Sequence, residues 1–89
     1  MALPGTPKAF AHDIADGYFS FTGATCRQFG PEDLRSLHRI LERVAREIRA
    51  EQVPLELVAE IQRKNLRLTR VRNVLMLIRY HAKRHRFVL

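Results

Sequence analysis

The sequence predicts an all-α fold: an antiparallel helical hairpin or three-helix bundle, with a short N-terminal helix and an extended aromatic-rich segment packed on it. Three observations lead there. All four glycines and three of the four prolines lie within the first 31 residues. Apolar residues from Leu34 onward recur at helical spacing. Past Pro54 no glycine or proline interrupts the chain. With 89 residues, one domain over 1–89 is expected, burying about 60% of its unfolded surface. The apolar content of 46% supplies enough Leu, Ile, Val and Phe to offset the entropy of ordering.

Thr6 followed by Pro7 reads as an N-cap with proline at the first helical position, and Gly17 is placed to close the helix in the left-handed conformation. A short helix over about 7–16 follows, with Phe10 and Ile14 as its apolar edge. Alone it would be unstable, so that edge must dock. From Tyr18 to Phe29 apolar and polar residues alternate in places around Thr22-Gly23, which permits a β-hairpin or an extended crossing segment. A lone hairpin is marginal in water, and extended chain is favoured.

The helix at 31–51 has every start signal. Gly30 stands at the cap, Pro31 at the first position, Glu32 and Asp33 face the positive dipole end, and Phe29 can staple onto Leu34. Leu34, Leu37, Leu41, Val44 and Ile48 form its stripe, widened by Ile40 and Ala45.

Gln52-Val53-Pro54 is a short connection, and Pro54 suits the start of a helix over 54–85. Ile61, Leu68, Val71, Leu75, Ile78 and Ala82 share one face. Unbroken, that helix would be about 48 Å long against about 30 Å for its partner. It either breaks near 65–69, where Asn65 can end one helix and Thr69 cap another, or its overhang is covered. Leu66, Met76, Leu77 and Tyr80 project opposite the main stripe. A helix apolar on two sides is sandwiched, so these four are candidate interface residues, covered by the aromatic segment or by a second copy in a homodimer.

Charge is segregated. Residues 1–60 carry seven cations and nine carboxylates, a net −2, while 61–89 carry nine cations and no carboxylate, a net +9. A one-signed field attracts polyanions. Arg63, Lys64, Arg67, Arg70, Arg72, Arg79, Lys83, Arg84 and Arg86 are therefore the candidate nucleic-acid-binding residues, following phosphates without reading sequence. The arginines at 35, 39, 43 and 46 are interleaved with Glu32, Glu42, Glu47 and Glu51 and read as a solvated, salt-bridged face.

Other chemistry is thinly represented. Cys26 is the one cysteine, so neither an intramolecular disulfide nor a cysteine cage for metal forms. His81 and His85, four apart, have metal-ligand spacing, but Lys83, Arg84 and Arg86 surround them and no carboxylate follows Glu60. Phosphate contact suits them better. No catalytic residue, cofactor or metal is expected. The longest apolar run, Val74 to Ile78, is five residues against about 20 for a membrane span. The opening Met-Ala-Leu-Pro-Gly-Thr-Pro lacks the apolar run of a signal peptide, and a reducing cytoplasm is expected.

The sequence thus leads to a small basic regulatory or accessory protein that binds nucleic acid, DNA before RNA. The alternative is an assembly domain that docks an acidic protein through the two-sided C-terminal helix, and a third class is a peripheral membrane binder. Two DNA-binding geometries can be written onto the chain. One is a helix-turn-helix of 55–64 and 70–84, lacking the usual turn glycine. The other is a ribbon-helix-helix with Ala24 to Phe29 as its strand.

Overall fold

Four helices account for the architecture of the computed structural model, which describes residues 6–89, so the signal-peptide reading of the first residues lies partly outside it. They are α1 (Pro7–Asp16), α2 (Gly23–Cys26), α3 (Pro31–Ala50) and α4 (Val58–Arg84). The fold is all-helical, and no strand occurs among the described residues.

Helix α1 starts where Thr6 accepts a hydrogen bond from the Ala9 amide at 3.2 Å. It stops at Gly17, whose φ of 84° lies in the left-handed region. There the Tyr18 amide donates to the Asp13 carbonyl and the Gly17 amide to Ile14, the paired bonds of a Schellman turn. Phe10 and Ile14 are buried, and α1 packs against both α3 and α4.

The segment after α1 is neither a hairpin nor an extended strand. It tightens into the single turn α2, because Thr22 and Thr25 satisfy each other's backbone amides through their hydroxyls. That reciprocal pairing is a capping box with threonine in the place of the usual acid. The one turn swings Phe21 and Phe29 inward against Phe10, with ring centroids 6.2–6.4 Å apart, while Phe19 meets the edge of Phe10 at 4.8 Å. The aromatic segment is therefore core-forming. With a helix at 23–26, the ribbon of a ribbon-helix-helix is absent.

Helix α3 buries Leu34, Leu37, Leu41, Val44, Ala45 and Ile48, together with His38. The antiparallel course of α4 brings Arg79 beside His38 and Lys64 beside the end of α3. Pro54 does not open α4. Its carbonyl instead accepts the Leu57 amide in a turn, and the helix begins at Val58. Leu55 is 86% exposed, so helix starting at 54 would have projected apolar residues beyond anything able to cover them. From Val58, α4 runs unbroken to Arg84, about 40 Å at 1.5 Å per residue, along a molecule whose longest dimension is 45 Å. The Thr69 hydroxyl, rather than capping a new helix, donates back to the Asn65 carbonyl at 2.9 Å. Continuity across 65–69 leaves no turn for a helix-turn-helix.

At its far end α4 closes with a second Schellman turn, in which Phe87 donates to the Ala82 carbonyl and Arg86 to Lys83. Arg86 occupies the position glycine usually takes, at φ 58°. Phe87 is folded back onto the core, the Arg35 guanidinium lies 5.7 Å from its ring centroid, and Arg35 also donates to the Val88 carbonyl.

Candidate nucleic-acid interface

The nine cations of 61–89 divide by what lies opposite them. Leu68, Val71, Val74, Leu75, Ile78 and Ala82 are buried, but the same face one and two turns upstream carries Lys64 and Arg67. Beneath those residues lie the ends of two other helices. The Lys64 ammonium donates to the Arg49 and Glu51 carbonyls at the end of α3. Arg67 forms ion pairs with Asp16 at 3.0 Å and Glu51 at 3.2 Å. Arg70 donates to the Ala15 carbonyl at 3.1 Å. The last carbonyls of a helix lack intrahelical donors and carry partial negative charge, so these three cations neutralise two helix C-termini. In the row Arg63, Arg67 and Arg70, the last two are therefore engaged within the fold. Arg63 alone in that row is exposed.

On the other flank of the stripe, Arg72, Arg79, Lys83 and Arg86 are exposed. Arg79 Nε donates to His38 Nε2 at 3.1 Å, and His38 Nδ1 faces Glu42 at 2.9 Å. Because Nε2 accepts, the ring proton sits on Nδ1 and the imidazole is neutral. Burial lowers the His38 pKa, the Glu42 charge works against that, and the Arg79 charge reinforces it. Beyond this relay, Arg79 and Arg72 from α4 meet Arg46 and Arg49 from α3 around Ala45 and Leu75, in two adjoining hollows where Glu42 is the lone carboxylate. Four guanidinium groups from two helices thus converge on one groove.

Arg46 and Arg49 are not among the candidates the sequence offers: Arg46 reads as part of the salt-bridged face, and Arg49 carries no reading of its own. Among the described residues no α3 arginine makes such an ion pair: Glu42 is turned to His38 and Glu51 to Arg67. The signal for the structural cations was present at Lys64, which occupies the apolar stripe position that the seven-residue step from Ile61 to Leu68 skips.

The four candidate interface residues separate as well. Leu77 packs against the core. Leu66, Met76 and Tyr80 stay 50–65% exposed, because the phenylalanine segment covers the Arg70 and Val74 flank of α4 instead. Arg84 donates to the Tyr80 hydroxyl at 3.3 Å. His81 and His85 lie with ring centroids 4.2 Å apart and planes tilted by 37°, and the described residues include no group of three or more ligands suited to a metal. Cys26 is fully buried. Burial raises its thiol pKa, and the Arg27 charge opposes that only in part.

No helix among the described residues is long and apolar enough to cross a membrane. No protein-family model, curated protein or solved structure matches the chain.

Proposed function

We propose that this is a non-enzymatic nucleic-acid-binding module whose contact surface is the α3/α4 groove, binding DNA before RNA. The helical hairpin of α3 and α4, with α1 as a third helix against both, serves as a single rigid domain carrying that groove. One observation supports it above the rest: Arg46, Arg49, Arg72 and Arg79 line two adjoining hollows with a single carboxylate, Glu42, whose charge is directed to His38. Guanidinium groups presented from two helices carry the charge and the planar donors that phosphate oxygens take, and they contribute affinity without sequence readout. The test is titration into duplex DNA, single-stranded DNA and RNA over a range of salt. Four phosphate contacts predict a log–log salt slope of about −3.6 on B-DNA, and Arg46→Glu with Arg72→Glu should abolish binding. Undiminished binding by that pair overturns the assignment of the groove. No binding to any of the three polymers at low salt overturns the nucleic-acid function and leaves the cations as a dock for an acidic protein.

A second reading rests on Leu66, Met76 and Tyr80, which project within about 80° of one another at 100° per residue. We infer that they pair two copies of the chain. Met76→Glu with Tyr80→Glu should convert a sedimenting dimer to monomer without loss of helicity. A wild-type monomer at high micromolar concentration overturns the pairing.

A further inference from the structure

The hollow between the end of α2 and the last turns of α4 is separate from the α3/α4 groove. It encloses about 480 Å³ and is lined on one side by Gly23, Cys26 and Arg27 and on the other by Leu77, Tyr80, His81, Arg84 and His85, with no carboxylate. We propose that it is a binding site for the dianionic phosphate group of a phosphate monoester, held by Arg27 and Arg84 beside the His81 imidazole.

The geometry carries this in three ways. First, Arg27 and Arg84 approach from different elements, and the bond from Arg84 to the Tyr80 hydroxyl keeps its guanidinium beside the hollow. Two guanidiniums and a phenol are the donor set a tetrahedral oxyanion needs. Second, the imidazoles of His81 and His85 are 4.2 Å apart between centroids, so an anion in the hollow can meet ring N–H donors from both. Third, every charged group facing His81 is a cation. Arg27 faces it from the end of α2 and Arg84 from its own helix, beside the His85 imidazole. From the tail comes the Phe87 ring at 6.1 Å, behind which lies Arg35 of α3. Burial first, then the charges of His85 and Arg27, lower the pKa of His81. A bound dianion reverses the two charge effects, so binding and protonation are linked. The negative end of α4 does not cancel the site, because the amides of His85, Arg86 and Phe87 already occupy carbonyls of its last turn. A metal cation is disfavoured by Arg27 and Arg84 and by the full burial of the Cys26 thiol.

Sulfate is the first probe, since its charge stays −2 over the working range, whereas a phosphate monoester titrates near pH 6. Titrated into the full chain at constant ionic strength and followed by the imidazole proton resonances, sulfate should shift His81 and His85 saturably. Its affinity should be higher at pH 5.5 than at pH 7.5, by about tenfold for an average uptake of half a proton over that range. Arg27→Gln and Arg84→Gln should each weaken it about tenfold at both pH values. His81→Gln should flatten the pH dependence, and Arg63→Gln, an exposed cation elsewhere, should change nothing. Phenyl phosphate and an oligonucleotide with or without a 5′-phosphate then distinguish the source. A 5′-phosphate that tightens oligonucleotide binding identifies a polynucleotide end, and phenyl phosphate binding without that gain identifies a small monoester. The site is refuted if sulfate moves these resonances no more than chloride does, or if both arginine variants bind it as the wild type.

Discussion

Replacing Gly17 by alanine should reach across the molecule to α4, and Arg70 is the residue through which it does so. Gly17 sits at φ 84°, and a Cβ added there would stand 2.9 Å from Arg70 Cζ. An L-residue in that conformation costs about 1 kcal/mol over glycine. Moving the guanidinium away also loses its bond to the Ala15 carbonyl, which for a half-buried charged donor is about 1 kcal/mol. Gly17→Ala should therefore destabilise by about 2 kcal/mol and Arg70→Ala by about 1. With the guanidinium gone, the close contact at the new methyl group is gone and the backbone term remains, so the double variant should lose about 2 kcal/mol rather than 3. Urea unfolding of the four proteins, followed by circular dichroism, gives the cycle, and m-values should be unchanged. Additivity within about 0.3 kcal/mol would refute the idea that Arg70 and the α1 terminus act as one unit.

Arg86→Gly should stabilise the chain by about 0.5–1 kcal/mol, because the left-handed position in the second Schellman turn suits glycine; a lower urea midpoint would contradict the assigned turn. Thr6→Ala should cost about 1 kcal/mol through loss of the α1 cap, read from the same unfolding curves. The folded pKa of His38 lies below its unfolded value near 6.5. Its contribution to stability is thus fully present above pH 6.5 and lost as pH falls through the lowered folded value. Midpoints at pH 7.5 and 5 should show this loss. His81 shifts in the same direction, so the difference between wild type and His38→Gln isolates the His38 part. Cys26, buried with a raised pKa, should react with a disulfide reagent at the rate of opening rather than at that of an exposed thiol; immediate labelling in native buffer would show that α2 does not cover it.

How far the sequence could be read depended on whether a residue's role was set by its neighbours in the chain. The start of α3 was legible because Pro31, Glu32 and Asp33 act on their own helix terminus, and its stripe because the core faces it along its length. Residues 18–29 were misread since alternation of apolar residues looks the same in a strand and in a coil that turns once. The deciding feature was local but small, the exchange of hydroxyl bonds between Thr22 and Thr25. In α4 a helical wheel gives each cation an angle, but not what stands across from it. Lys64, Arg67 and Arg70 therefore looked equivalent to Arg72, although the ends of α3 and α1 occupy the space before the first three. The groove arginines Arg46 and Arg49 were hidden for the converse reason, as their nearby glutamates are drawn off by partners on other turns and helices.

The tethering of α1 by Arg67 and Arg70 also sets a timetable for synthesis. The partner of the Ala15 carbonyl lies 55 residues further along the chain, which at 5–20 residues per second takes roughly 3–10 s to be made. Ten residues cannot hold a helix in water by themselves. The nascent N-terminal segment, with its phenylalanines, can dock on α3 once that helix is made, but it lacks its second partner until the middle of α4 arrives. During that interval its α4-facing side stays open to chaperones, and to aggregation when none is at hand.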